Sequence, residues 1–283
     1  MKLFVTDIDE TLSVGETVSL EVRNACARLR DAGWDIMIAT GRTFGTSRNH
    51  MRAVGATQPA ILYDGARTMT LDGREIRSSF FDASLAAEIL KSLWEAPLEI
   101  QIAGDEVVRC RESDGETARF YRCSGVPVHY VTEPFTDERI YRIGRWISPE
   151  NLSDVEARLK ASFTGVEVLA GGERFLDVLP KGVSKGAALE CFVADLPTEP
   201  ELIVAAGDHR NDLALLLGAD IAVVPRNAAE DLLPLADIVI PPAAEHGVEA
   251  LVDHLLSPAF VPEKFVSKKK KEFFFQNGIP KGL

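Results

Sequence analysis

The sequence predicts an α/β protein, a doubly wound parallel Rossmann-like sheet core with an inserted α+β cap domain. Three observations carry this. Short apolar runs with no polar alternation recur toward both ends of the chain, as strands buried on both faces require. Amphipathic helical segments separate them, and strand–helix alternation builds parallel sheets. Between residues 81 and 180 the pattern changes to strands in close succession with fewer helices.

The elements follow in order. Lys2–Thr6, Asp35–Ala39 and Ala60–Tyr63 are the first predicted strands. Leu20–Arg30 is a helix with Leu20, Ala25 and Leu29 near one face, Ser19 as N-cap and Gly33 as its stop. Thr43–Val54 is a helix ended by Gly55. Arg74–Phe81 is strand-like, and Ser84 caps a helix to Trp94. Glu99–Cys110, Val126–Val131 and Ile140–Ile147 read as antiparallel strands. Ser148-Pro149 opens a helix to about Phe163, with proline at its favoured first position. Val166–Leu169 and Arg174–Leu179 are strands. Leu202–Ala206, Ile221–Val224 and Ile238–Ile240 return to the buried parallel kind, with helices over His209–Leu217 and His246–Leu256. The organisation predicted is a core of residues 1–80 and 181–260, a cap of 81–180, and a basic C-terminal tail of 261–283.

Charge restricts the partners. The net charge of −12 disfavours nucleic acid, whose phosphates call for Lys and Arg. The tail holds six Lys against two Glu, so it is +4 and the remainder −16. Its SKKKKEFFF run reads as a solvated or packed extension in preference to a membrane patch. No apolar run approaches the ~20 residues of a membrane span. Met1 leads straight into a strand, which leaves no signal peptide to expect. Cys26, Cys110, Cys123 and Cys191 have no metal-ligand spacing and suit a reducing cytoplasm. Nothing in the sequence sets an oligomeric state.

In doubly wound sheets ligands sit beyond the carboxyl ends of the strands. Here those ends are polar: Asp7 and Asp9 after the first, Thr40-Gly41-Arg42 after the second, Asp208 with Asn211 and Asp212 after LIVAA. Lys185 begins a helix in PKGVSKGAAL. Two carboxylates about 4 Å apart repel by about 4 kcal/mol at an effective dielectric of 20. Gathering Asp7, Asp9, Asp208 and Asp212 therefore calls for a counter-charge, and Mg²⁺ suits carboxylates plus phosphate oxygens. Thr40, Lys185 and the backbone near Gly41 would then hold a phosphate, and a carboxylate nucleophile beside them fits phosphoryl transfer.

DIDET at Asp7–Thr11 resembles the nucleophile motif of the haloacid dehalogenase superfamily. Thr40, Lys185 and GDHRND at Gly207–Asp212 resemble its second, third and fourth motifs, in order. An insert between the second and third motifs, with TGR and KGVSKG, resembles the Cof-like branch with its large α/β cap. The resemblance covers residues 1–256 and implies a phosphatase of small phosphorylated metabolites, sugar phosphates or related esters. It implies that Asp7 attacks phosphorus and becomes an aspartyl phosphate. Asp9 protonates the leaving alcohol, then deprotonates water. The Asp7 side chain, the Asp9 main-chain carbonyl and Asp208 bind Mg²⁺. Thr40 and Lys185 hold the phosphoryl group and Asn211 helps position it. Asp212 orients Lys185 or a metal-bound water, and Thr11 braces the loop.

Two positions depart from the family pattern. Glu10 replaces a usual glycine, and Asp64 stands where the branch commonly has asparagine. Arg42 reaches either the phosphate or a cap carboxylate, and His209 either substrate or solvent. Trp94 and Trp146 read as core of the insert in preference to substrate platforms. The rival readings are a phosphomutase of the phosphomannomutase type, whose fourth motif is longer than GDHRND, and a non-catalytic binding or regulatory protein, which retention of Asp7, Asp9, Lys185 and Asp208 disfavours. A two-component receiver is disfavoured by the long insert.

Overall fold

A computed structural model describes residues 1–94, 100–104, 107–134, 139–170 and 175–262. The predicted tail from residue 263 on, and the strand ends predicted at Glu99 and Arg174, lie outside the described residues.

The chain opens with β1 (Lys2–Thr6), α1 (Leu20–Asp31), β2 (Trp34–Ile38), α2 (Phe44–Val54), β3 (Ala60–Leu62), β4 (Arg67–Met69) and β5 (Glu75–Ser78). The insert follows: α3 (Ala83–Trp94), β6 (Ile100–Ala103), β7 (Val108–Cys110), α4 (Gly115–Cys123), β8 (Val128–Tyr130), β9 (Arg142–Trp146), α5 (Pro149–Ser162), β10 (Val166–Ala170) and β11 (Phe175–Pro180). The chain then returns to the core with α6 (Lys185–Ala194), β12 (Leu202–Ala206), α7 (Leu213–Gly218), β13 (Ile221–Pro225), β14 (Ile238–Ile240) and α8 (Gly247–Leu255).

The core sheet has the order β14-β13-β12-β1-β2, and every ladder in it is parallel. β1 shows why its strands are apolar throughout. Phe4 packs in one cluster with Val22 and Leu29 of α1 and Leu251 of α8. Leu3 and Val5 pack in the other with Leu189 of α6 and Leu215 and Leu216 of α7. Successive residues thus bury against opposite helix layers, each large side chain contributing about 2 kcal/mol. Ser19 caps α1 by accepting from Val22 N at 3.3 Å, and Gly55 ends α2 in the left-handed region at φ 63°.

Some elements differ from the sequence expectation. β3 touches β2 through one bridge, Ala39–Ile61, and otherwise pairs with β4 and β5 in a small antiparallel sheet. Three consecutive positive-φ residues, Tyr63, Asp64 and Gly65, reverse the chain there. Asp82, not Ser84, caps α3, accepting both the amide and the hydroxyl of Ser84. The run to Cys110 is two strands, β6 and β7, which pair antiparallel. The 209–217 segment begins as a 3₁₀ turn, Arg210–Asp212, before α7.

The insert's six-stranded sheet has the order β10-β11-β9-β6-β7-β8. It is antiparallel except for β7–β8, which the unpredicted helix α4 joins as a parallel crossover. Ile89, Leu90 and Leu93 of α3 and Leu159 of α5 bury one face of this sheet with Ile143 and Val178. The other face turns toward the core's carboxyl edge, where Arg142 of β9 donates to the Gly41 carbonyl at 2.5 Å. No described helix is long and apolar enough to cross a membrane.

Candidate active site

β12, β1 and β2 are adjacent, and their registers set Thr6 level with Ala206 and Ile38. The residues that leave these strands therefore emerge side by side: Asp7 after β1, Gly207-Asp208 after β12, Ala39-Thr40 after β2. Ser184 caps α6 by accepting from Ala187 N at 3.0 Å, so Lys185 enters from the first turn of that helix.

Lys185 is fully buried, and its Nζ donates to Asp7 Oδ1 at 2.7 Å and to Asp212 Oδ1 at 2.6 Å. The second oxygen of Asp212 accepts from the Asp208 and His209 amides at 3.0 and 3.1 Å. Gly207 is required beside it, because a Cβ there would stand 2.5 Å from Asp212 Cγ. Thr11 Oγ1 donates to Asp208 Oδ1 at 2.8 Å.

Carboxylate oxygens of Asp7, Asp208 and Asp212 all lie within 4.8 Å of one another, and one ammonium pairs with two of them, Asp7 and Asp212. Burial pushes the Asp7 carboxyl well above its usual range against the pull of Lys185, with Asp212, Asp208 and Asp9 pushing the same way. Burial and then Asp212 push Asp208 up to about 7, although the Thr11 hydroxyl and Lys185 oppose this. Burial pulls Lys185 down, but Asp212 and Asp7 outweigh it and hold the ammonium above the usual lysine range. The oxygen-only donor set with unspent negative charge fits a hard divalent cation. Asp212 is the least available of the three, since Lys185 and two amides already occupy its oxygens.

The sign of the pH dependence follows. A carboxyl whose folded value is raised binds more protons folded than unfolded, so its contribution to stability falls as pH climbs toward that raised value. A hard divalent cation such as Mg²⁺ would bind the ionised form and reverse the loss. We expect the Mg²⁺-induced rise in melting temperature to exceed its value at pH 6 by about 3 °C or more at pH 8. Thermal melts at both pH values check this; equal shifts would show that Asp7 and Asp208 do not hold the ion.

The remaining predicted residues are placed as follows. Arg42 lines the cavity and meets no cap carboxylate among the described residues. It donates to both oxygens of Asp9, at 2.9 and 2.6 Å, and to Glu16 at 3.0 Å, all within the core. Each Asp9 oxygen keeps a second lone pair, and the side chain is half exposed toward the cavity. Thr40 is buried, and its hydroxyl accepts the Arg42 amide at 3.2 Å. Gly41 must lack a side chain: a Cβ would sit 2.9 Å from Asp64 Oδ2. Asn211 Nδ2 donates to Asp64 Oδ1 at 2.9 Å. Glu10 adopts φ 58°, the left-handed conformation in which glycine is unstrained.

A cavity of about 550 Å³ opens above these groups. Asp7, Asp9 and Asp208 line its floor, with His209 and Asn211 beside them. Phe120 and Tyr121 of α4, Arg142 and Trp146 of β9, and Phe175 and Asp177 of β11 form its roof. Trp146 is thus a wall of the cavity, correcting its assignment to the insert's core, whereas Trp94 does pack on that core. Sequence reasoning passed over Arg142 and Asp177. The available signal was a carboxylate inside the apolar strand FLDVLP, which no solvent-facing role explains.

The architecture defines the class first: an α/β enzyme whose acidic site lies at a parallel sheet's carboxyl edge beneath an inserted roof. The model of the haloacid dehalogenase-like hydrolases matches residues 4–252, and the chain belongs to that family. Phosphatase YwpJ of Bacillus subtilis is 25% identical over 285 residues, covering 90% of this chain and 100% of its own. HMP-PP phosphatase of Yersinia pseudotuberculosis is 26% identical over 266 residues, covering 90% and 96%. The solved structure of a haloacid dehalogenase-like hydrolase from B. subtilis superposes with a TM-score of 0.79 at 24% identity, covering 90% and 100%.

Proposed function

We propose that this chain is a Mg²⁺-dependent phosphatase of small phosphorylated metabolites, sugar phosphates or related phosphoesters, working through an aspartyl phosphate on Asp7. The observation that carries the reading is the meeting of Asp7 with Lys185, 178 residues away, in a buried hydrogen bond beside Asp208 and Asp212. The phosphatase names of YwpJ and the Yersinia relative support hydrolysis over phosphomutation.

Asp7 forms a bond to phosphorus as the ester P–O bond breaks, and Asp9 gives the leaving oxygen its proton. Asp9 then takes a proton from water, whose oxygen attacks phosphorus, and the aspartyl P–O bond breaks to release phosphate. Lys185 offsets charge on the transferring group, Thr40 and Asn211 border it, and Asp212 holds Lys185 in place. Mg²⁺, held by Asp7, Asp208 and the Asp9 carbonyl, would neutralise phosphoryl oxygens. The cap, residues 81–180, excludes water and meets the leaving group, while residues 1–80 and 181–260 supply the chemistry.

The test is phosphate release from a broad panel of phosphometabolites with Mg²⁺ and with chelator. Release that chelator stops is the expected result. Binding without release across the panel favours a non-catalytic protein, and phosphoryl migration between two hydroxyls of one substrate favours a mutase.

A further inference from the structure

We propose that the outer half of the cavity selects phosphoesters whose leaving group carries an ammonium, accepted by Asp177 and Asp64 and walled by Trp146 and Phe175. The inference rests on the phosphatase reading and narrows its substrate class.

Charge is the first observation. Among the described residues, six carboxylates line the cavity against two guanidiniums. Arg42 is committed to Asp9 and Glu16. A bound Mg²⁺ and a dianionic phosphoryl group cancel each other, so they leave this excess standing. Arg142 lies between Asp177 and Asp64, its nitrogens 3.2 Å from Asp177 Oδ1 and 3.5 Å from Asp64 Oδ2, while the Asn211 amide donates to Asp64 Oδ1 and the Lys185 ammonium acts on both carboxylates from further away. One guanidinium between two carboxylates leaves a net negative charge there.

Unmet acceptors are the second. Asp177 and Asp64 are 3% and 1% exposed, yet Asp177 Oδ1 and Asp64 Oδ2 have no hydrogen-bond donor, nor does Asn211 Oδ1 beside them. Arg142 directs N–H groups instead to the Gly41 carbonyl and the Tyr121 hydroxyl. Buried acceptors without donors cost free energy until a ligand supplies N–H or O–H groups. Burial, and then Asp64, push Asp177 up to about 7 against the pull of Arg142 and Lys185.

Aromatic walls are the third. Register sets Phe175 opposite Trp146, with ring centroids 5.4 Å apart and planes at 73°. Asp177 follows Phe175 on the same strand face, opposite Gly144, which brings no side chain. Aromatic faces beside carboxylates are the surroundings that favour an organic cation over a neutral hydroxyl.

The test uses a matched pair. Glucosamine 6-phosphate and glucose 6-phosphate differ by one ammonium in place of one hydroxyl. Each is measured as a competitor of p-nitrophenyl phosphate hydrolysis. The expected inhibition constant is about tenfold lower for the amino compound, and Asp177→Asn, which keeps shape and removes charge, brings the ratio near unity. A wild-type ratio of one or below, no competition by either compound, or a ratio that survives Asp177→Asn overturns the proposal. Turnover of p-nitrophenyl phosphate with no amine preference leaves the phosphatase reading standing, whereas failure to hydrolyse any ester removes both. The wild-type ratio needs no variant and does not depend on Asp177→Asn folding.

Discussion

Asp7→Asn is expected to lower phosphate release by about 10⁴-fold or more without lowering the melting temperature. The two halves of this result have separate causes. Activity goes because an amide oxygen does not attack phosphorus to leave a covalent intermediate, and the other carboxylate bonded to Lys185, Asp212, is fully buried with its second oxygen taken by two backbone amides. Stability stays because the substitution removes a charge that the fold opposes. Burial and the neighbouring carboxylates already hold the Asp7 carboxyl toward its neutral form. The asparagine oxygen still accepts from Lys185 Nζ, which keeps its 2.6 Å bond to Asp212. The measurements are phosphate release beside a thermal melt without Mg²⁺. A folded variant that keeps a hundredth of the wild-type rate shows that Asp7 is not the attacking group.

Legibility in the sequence divided along physical lines. The core strands were readable because both faces of β1, β2, β12 and β13 are buried, which writes an uninterrupted apolar run into the chain. The polar residues that end those runs were readable for the same reason: Asp7 and Asp208 stand out against LFV and IVAA. Thr11 bonding Asp208, and Asp212 joining Lys185 to two backbone amides, required knowing how loops fold back over the strand ends. Arg42 was open between two partners, and its bonds to Asp9 were not foreseen because they arise where the loop after β2 runs beside the loop after β1. The insert was less legible. Its sheet is one-sided and its strands short, so α4, with only Thr117, Ala118 and Tyr121 buried, leaves little apolar period to find. Asp177 and Arg142 lie in neither core motif. They gain meaning only when the insert folds over the core and sets a cap guanidinium 3.5 Å from Asp64.

Lys185→Met is expected to separate the electrostatic role of this residue from its role in turnover. Methionine approximates the length of the lysine stem, so packing changes little. What disappears is the ammonium serving Asp7 and Asp212, both buried, while Asp208 stays close by. Removing one partner of a buried ion pair costs about 3–5 kcal/mol, which for a chain of this size lowers the melting temperature by about 10 °C. The loss has a direction in pH. Without Lys185 the surviving carboxylates bind protons more tightly when folded, so the deficit is greatest at pH 8 and shrinks toward pH 5. Mg²⁺ supplies positive charge to the same oxygens and restores part of the melting temperature at pH 8. It does not restore turnover, because the transferring phosphoryl group still lacks the cation that approaches from α6, a loss of about 10³-fold. Melts at pH 5 and 8 with and without Mg²⁺, beside phosphate release at saturating Mg²⁺, give the four quantities needed. A variant that melts with the wild type at pH 8 without Mg²⁺ would mean that the carboxylates around Asp7 are neutral with or without Lys185, and the charge balance argued for this site would be wrong.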